Sequence, residues 1–600
     1  MDLFSAKERS AGLERMARDG VDVLVIGGGI TGVSVAMDAA ARGYRVGLVD
    51  KGDFASGTSS KSTKLVHGGI RYLPQFDFSL VREALMERGL LFQNAPWIVN
   101  PLGFVLPLYQ WNKRPLGSPI VPPFGIGLDL IVQAGLLLYD LLAGKLSIEH
   151  HRRLSLAQAR LDAPVLKTEG MKHAFVYYDG QTDDTRLTVT VLRTAVAEGA
   201  LAANYTEVTG FEIADDRIQG ARLRDVVTGK AYAVKARHIV NAAGVFAQRI
   251  EELTGLESQL SVEPAKGVHL IFSRDTIPMS EKAIVLPETD DGRLLFIVPW
   301  EERVIVGTTD TEGGDIDHPI TTEEDVTYLL NTCNRYLNIT LKREDILATY
   351  SGYRPLIKSK NADKASSAKL SRSHAVLDGP AGMVSIVGGK LTTWRRMAED
   401  TMNYIAKRDG KEPSLATRKM ALSGSEGWAT VRSRMESGQL GVAPDVARHL
   451  GAYYGVNLQR VLAIAHEDER FGARIVSDLP YLMAEVVYAC RYEMAVTLDD
   501  MLSRRTRLVL EGRGQGLDIA NDVARIMAKE LGWDDAEIAR QVAAYESIVH
   551  DQYQERAERD GCRRPGDPVL ADSAKKDRDD WANAKVRTVQ KPAKGAGTAG

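Results

Sequence analysis

Residues 21–50 read VDVLVIGGGITGVSVAMDAAARGYRVGLVD. The apolar, β-branched run 21–26, the small-residue stretch 30–42 and the apolar run 45–49 have the periods of a strand, a helix and a second strand. Between the first strand and the helix, Gly27, Gly29 and Gly32 form a G-x-G-x-x-G, with Asp50 at the end of the second strand. Each position has a physical task. Gly27 permits a tight turn, Gly29 lets backbone approach a pyrophosphate, and Gly32 lets helix and strand pack closely. The free N–H groups at the helix start, around Gly28, Ile30 and Thr31, face the anion. Asp50 is placed to accept hydrogen bonds from a ribose. A bare glycine triplet is equally an ordinary turn. The strand before it, the helix after it and the acid at this distance favour dinucleotide binding.

These mechanics do not separate FAD from NAD, but two features favour FAD. No second G-x-G-x-x-G follows a strand and opens a helix, as a chain binding flavin and a nicotinamide on separate folds would require. After Asp50, the stretch KGDFASGTSSKSTKLVHGGIRYL (51–73) continues with small residues and hydroxyls that can run close along a cofactor. The contacts expected there are Thr58, Ser59, Ser60, Lys64, Leu65, His67, Gly68 and Gly69.

A chain of 600 residues exceeds what one hydrophobic core holds, so two or three domains are expected. With 76 Lys and Arg against 79 Asp and Glu, a formal charge of -3 does not indicate nucleic acid, and any anion site is local. Cys333, Cys490 and Cys562 are odd in number and far apart, which argues against a disulfide framework or a zinc site and suits a reducing, cytoplasmic setting. No H-E-x-x-H or C-x-x-C spacing for a metal occurs. Residues 1–20 lack the apolar core of a signal peptide. Further strands are expected at 238–242, 268–272, 294–298, 304–306 and 384–387, scattered among helical stretches, so the chain reads as α/β with an antiparallel insertion. Beyond Pro413 the period is helical, at 443–454, 482–498 and 519–553, and after about residue 560 the sequence is too polar to bury a core.

From Asp22 to Leu508 the chain resembles the FAD-dependent glycerol-3-phosphate dehydrogenases, within the D-amino-acid oxidase-like flavoproteins. The resemblance is carried, in order, by IGGGITG (26–32), SGTSSKSTKLVHGGIRYL (56–73), REALMERGLL (82–91), TDDTR (182–186), NAAG (241–244), AKGVH (265–269), PW (299–300), VGTTD (306–310), YSGYRPL (350–356), SRSH (371–374), GGKLTTWR (388–395) and RRTRL (504–508). Departures occur at Ile70 and Pro74, at Val245 and Phe246 after NAAG, and at Tyr353, and none removes a charged candidate. The resemblance implies a discontinuous Rossmann-like FAD-binding domain (about 21–100, 165–255 and 350–412) around an antiparallel-sheet substrate domain (about 101–164 and 256–349). A C-terminal α-helical domain (413–555) and a disordered tail (556–600) complete the expected organisation. The implied reaction is oxidation of glycerol 3-phosphate to dihydroxyacetone phosphate, with FAD held non-covalently and a membrane quinone as acceptor. Gly244, Gly389, Leu391 and Thr392 join the expected cofactor contacts.

Such a reaction needs a base for the hydroxyl proton and an anchor for the phosphate. Arg354 and Arg372, then Arg71, are the expected anchors, because a guanidinium gives phosphate two parallel hydrogen bonds. An arbitrary arginine is more often a surface charge, and the motif context is what singles these out. Lys390, in a glycine turn, is placed to stabilise negative charge on the reduced ring or to reach substrate. His67, His269 and Lys266 are the candidate bases, and the residues alone leave that choice open. Asp183 and Asp310 read first as turn or cap residues. Residues 493–508 read as an amphipathic, basic segment that is either a solvated face or a domain contact. The apolar stretch 120–142 is broken by Pro122, Pro123, Gly125, Gly127, Asp129 and Asp140, so it is not a spanning helix. It is a candidate peripheral contact with the inner face of the membrane, the other reading being a buried helix and loop. A homodimer is compatible with the sequence. Two rival functions share these features: an oxidase returning electrons to oxygen, and a non-catalytic FAD-bound redox scaffold.

Overall fold

The computed structural model describes residues 4–118, 127–258, 260–357 and 373–554. Among these residues the chain forms two β-sheets with helices on their faces, followed by a helical domain. The first sheet has the order His374–Asp378, Val384–Gly388, Ala231–Asn241, Val21–Ile26, Val46–Val49, Leu201–Ala203. From Val384–Gly388 onward its neighbours run parallel. Val23, Leu24 and Val25 are fully buried, as a parallel strand covered on both faces requires. Helices Ile30–Ala41, Asp184–Ala197 and Trp394–Arg408 pack together against it. Ala231–Asn241 also continues into an antiparallel ladder with Arg217–Asp225 and Thr206–Ala214.

The second sheet is mainly antiparallel. It joins Asn100–Tyr109, Met171–Gln181, Ala283–Leu286, Leu295–Trp300, Arg303–Gly307, Val262–Ser273 and Ala348–Ile357. Met171–Gln181 and Ala348–Ile357 both lie in this sheet, so sheet membership changes nearer residues 181 and 357 than the boundaries of 165 and 350 read from sequence. Period-two alternation on Val262–Ser273 turns Val268, Leu270 and Phe272 toward Val326, Leu329 and Cys333 of helix Glu323–Tyr336. Gly267 and His269 therefore face the other way, toward the first sheet.

The helical domain contains Pro444–Tyr454, Leu458–Ala465, Met483–Tyr492, Ala520–Leu531 and Asp535–Ile548. The run 482–498 reads as one helix in sequence but ends at Tyr492, because Glu493 is drawn into a bidentate pair with Arg186 at 2.6 and 2.7 Å and Met494 has φ +52°. The basic segment that follows is a domain contact. Arg504 and Arg505 bind Asp53 at 2.6 and 2.7 Å, and Arg507 lies 3.2 and 3.3 Å from Asp183 and Asp184, all of them buried. Burial pushes the Asp53 carboxyl up, but Arg505 and Arg504 outweigh it and hold it at about 2. Removing one partner from such a buried pair costs about 3–5 kcal/mol, so these contacts fix how the helical domain sits.

Candidate active site

A cavity of about 880 Å³ opens where the C-terminal ends of Val21–Ile26, Val46–Val49 and Ala231–Asn241 meet the inward face of the second sheet. This is the switch point at which open parallel sheets bind ligands. Gly27 turns at φ +109°, and a Cβ there would lie 2.6 Å from Ala242 O, while one on Gly32 would run into Gly27 O. Both glycines are therefore demanded by the strand-to-helix crossing itself. Asp50 accepts from Gly28 N at 2.5 Å and Gly52 N at 2.8 Å, and burial pushes its carboxyl up to about 6. Ile30 N donates to Ser59 Oγ at 2.8 Å, which ties the helix start to the hydroxyl-rich segment.

The lining includes Gly27, Gly29, Ile30, Thr31, Asp50, Thr58, Ser59, Leu65, His67, Gly69, Gly244, Gly389, Lys390, Leu391 and Thr392. Gly28, Gly32, Ser60, Lys64 and Gly68 stand behind this wall. Ser60 Oγ donates to Gly57 O, the Lys64 ammonium binds Asp184 at 2.7 Å, and Gly68 N donates to Asp179 at 3.1 Å. Thr392 clips His67 from both sides, accepting from its N–H at 3.0 Å and donating to its C=O at 3.1 Å. The Lys390 ammonium sits 4.1 Å from the centre of the Tyr72 ring. A glycine turn at a helix start, a half-buried acid beside it and an extended hydroxyl-bearing segment fit a dinucleotide.

The other half of the cavity is built on paired strands. Gly267 faces Gly352 and His269 faces Tyr350, in register. The Arg354 guanidinium lies over Gly267, where a Cβ would come within 2.5 Å of Nη2. It is held by Asp310, Thr308 Oγ1 and Thr309 O, each at 3.2 Å. His269 is two residues further along, roughly 7 Å by strand geometry. It is buried, stacked on Tyr350 at 4.6 Å, and bonded through Nε2 to Thr63 Oγ1 at 2.9 Å. Burial first, then Arg354 and Lys64, hold its pKa well below the ordinary histidine value, so the ring is neutral.

Lys266 is not brought to the cavity. The strand's alternation turns it to the opposite face, where it donates to Asp325 at 2.6 Å and Ile320 O at 3.1 Å. Arg71 lines the cavity with its guanidinium 4.9 Å from the Tyr72 ring centre. Arg372 lies outside the described residues. Asp183 caps helix Asp184–Ala197 through Arg186 N. Asp310 does more than close a turn, since it accepts from Arg354 and lies 3.6 Å from Arg293. Sequence reading passed over Arg293, Lys61, Asp179 and Gln552, all of which line the cavity. Only Lys61 had a local signal, its place within the hydroxyl-rich segment.

Residues 22–395 match the FAD dependent oxidoreductase family, and 415–538 match the C-terminal domain of alpha-glycerophosphate oxidase. The chain is 39% identical over 562 residues to glycerol-3-phosphate dehydrogenase 2 of Mycobacterium tuberculosis, covering 92% of each. It is 37% identical over 553 residues to the mitochondrial glycerol-3-phosphate dehydrogenase of Bos taurus, covering 88% of this chain and 73% of that one. The crystal structure of the glycerol-3-phosphate dehydrogenase from Bacillus halodurans complexed with FAD superposes with a TM-score of 0.74 at 30% identity, over 92% of this chain and 98% of that one. The cradle at the sheet switch point, the inward-facing His269 and Arg354 and the helical domain docked behind them thus belong to an enzyme of the FAD-dependent glycerol-3-phosphate dehydrogenase family.

Proposed function

We propose that this enzyme oxidises sn-glycerol 3-phosphate to dihydroxyacetone phosphate, using non-covalently held FAD and passing the electrons to a membrane quinone. The observation that carries the reading is the placement of Arg354 over Gly267, two strand positions from His269, on the cavity face shared with the dinucleotide cradle. That spacing suits a three-carbon substrate with a phosphate at one end and a secondary hydroxyl near the other. Arg354 grips the phosphate, and Asp310 fixes the guanidinium plane. His269 takes the hydroxyl proton. As a neutral imidazole it is ready to accept, and the arriving phosphate offsets the Arg354 charge that depresses its pKa, so substrate binding itself strengthens the base. Bound FAD supplies the hydride acceptor. Lys390 and the Gly388–Gly389 turn line the same cavity and would offer the bound ring a positive charge and closely approaching backbone.

The quinone reading rests on helix Leu128–Ala143. Its only charged residues, Asp129 and Asp140, turn away from solvent toward Arg153 and His151. Leu130, Leu137 and Leu141 are 64%, 53% and 67% exposed and, with Ala134, form one stripe. Exposed Arg114, Lys145 and Arg152 lie close by in sequence, the combination that seats a protein on an anionic lipid surface. On the buried side of the same helix, Tyr139 donates to Asp179, which lines the cavity. One helix thus joins the apolar surface to the site. On this surface we place a peripheral seat at the inner face of the membrane; no helix among the described residues is long and apolar enough to cross one. Steady-state reduction of a quinone analogue with glycerol 3-phosphate as donor tests the whole proposal. His269→Asn should lower kcat by about a hundredfold or more, and equal turnover in the two proteins would remove His269 from the chemistry.

A further inference from the structure

Lys61 and Lys64 stand on one short segment, both buried, and differ in what balances their charge. Lys64 has Asp184 at 2.7 Å and Asp183 at 3.7 Å. Lys61, 8% exposed, has no carboxylate within ion-pair distance among the described residues. Its ammonium donates to Tyr553 Oη at 2.8 Å and lies 3.9 Å from that ring's centre. A buried ammonium without a counter-charge is costly, and its natural complement is an anion brought by a ligand.

The backbone shows where that anion would be. The Lys61 stem crosses Gly352, where a Cβ would meet Lys61 Cβ at 2.6 Å. Gly352 is the register partner of Gly267, over which Arg354 lies. On either side, Tyr350 Oη donates to Ser62 O at 2.9 Å, Thr63 holds His269, and Thr58 Oγ1 donates to Tyr353 O at 2.6 Å. Lys61 therefore stands between the residues assigned to the hydroxyl and to the phosphate, and it lines the cavity. Its partner comes from the far end of the helical domain. Tyr553 closes the turn Val549–Tyr553, Gln515 Nε2 donates to Tyr553 O at 3.1 Å, and neighbouring Gln552 reaches the cavity wall.

We propose that Lys61 is a further cationic contact to a phosphate group in this cavity, and that Tyr553 of the helical domain presents it. The helical domain is then a working wall of the site. The inference rests on the functional reading above for the substrate's phosphate as the ligand. The pyrophosphate of the dinucleotide is the other source of the same chemistry.

The test uses the full-length holoenzyme with Lys61→Met, Lys61→Arg and Tyr553→Phe. Inorganic phosphate is titrated against the oxidised flavin spectrum, and acid-released flavin per protein gives the FAD content. If the substrate's phosphate is the ligand, Lys61→Met keeps its FAD, while phosphate affinity and KM for glycerol 3-phosphate worsen roughly tenfold to a hundredfold. Lys61→Arg recovers most of that loss, and Tyr553→Phe shows a smaller, severalfold loss at unchanged Tm. A Lys61→Met protein that loses FAD while its loaded fraction binds phosphate normally assigns the contact to the pyrophosphate. Wild-type FAD content and wild-type phosphate affinity in Lys61→Met together overturn the proposal. Phosphate binding is read without turnover, so a chain that fails to oxidise glycerol 3-phosphate yet loses phosphate affinity on Lys61→Met refutes only the functional reading.

Discussion

The Arg354 guanidinium rests against the bare backbone of Gly267, on the neighbouring strand. The glycine leaves the space that the arginine fills. Gly267→Ala should put a methyl within 2.5 Å of Nη2 and push the guanidinium off its seat. The expected result is a KM for glycerol 3-phosphate raised about tenfold or more, with FAD content and Tm near wild type. Unchanged KM would mean that Arg354 does not hold the substrate from this position.

Arg354→Lys keeps the charge but loses the fork. A charged hydrogen bond contributes about 1.5–3 kcal/mol, so kcat/KM for glycerol 3-phosphate should fall roughly tenfold to a hundredfold. Glycerol has no phosphate to grip, so its poor oxidation should hardly change. Equal proportional losses with both substrates would move Arg354 out of the phosphate site.

Asp50 makes FAD retention depend on pH. Its carboxyl sits at about 6 in the cradle, against about 3.9 in an unfolded chain. In the apoprotein, the stability this group contributes is present below the unfolded value and is lost as pH rises through about 6. Cofactor binding runs the other way, because ribose hydroxyls donate to the carboxylate. Below pH 6 the FAD dissociation constant should rise by up to about tenfold per pH unit, and Asp50→Asn should bind weakly at every pH with that slope gone. A slope unaltered in Asp50→Asn would place the titrating group elsewhere.

Gly29→Val should obstruct the backbone that a pyrophosphate approaches, next to Ser59 Oγ, which an added Cβ meets at 3.1 Å. The protein should fold and purify colourless. Acid precipitation of the wild type should leave all flavin in the supernatant, and yellow pellets would reveal a covalent link.

Replacing Leu137 and Leu141 together with glutamate should release the enzyme from vesicles containing anionic lipid while leaving reduction of a water-soluble acceptor intact. Sedimentation with vesicles at wild-type level would show that another surface meets the lipid.

Much of this architecture was legible in local pattern. Residues 21–50 announced their strand, helix and strand because glycine spacing and apolar period act within a few residues. Strands near 268–272, 294–298 and 304–306 were visible for the same reason. What pairing decides was not legible. Whether Lys266 or His269 faces the cavity depends on which side of Val262–Ser273 meets helix Glu323–Tyr336, and Lys266 went with Asp325. The basic run 504–508 reads equally as a solvated face or a domain contact until Asp53, Asp183 and Asp184, more than three hundred residues away, are folded against it. Arg293 and Gln552 carry no local signal, since only the tertiary fold brings them to the cavity.

The most direct measurement is anaerobic mixing of the FAD-loaded enzyme with glycerol 3-phosphate, followed by reoxidation with either a quinone analogue or dissolved oxygen. The expected result is rapid bleaching of the flavin with one dihydroxyacetone phosphate formed per FAD, then fast reoxidation by the quinone and slow reoxidation by oxygen. A flavin that glycerol 3-phosphate does not bleach, or one that oxygen reoxidises faster than quinone with release of peroxide, would contradict the account.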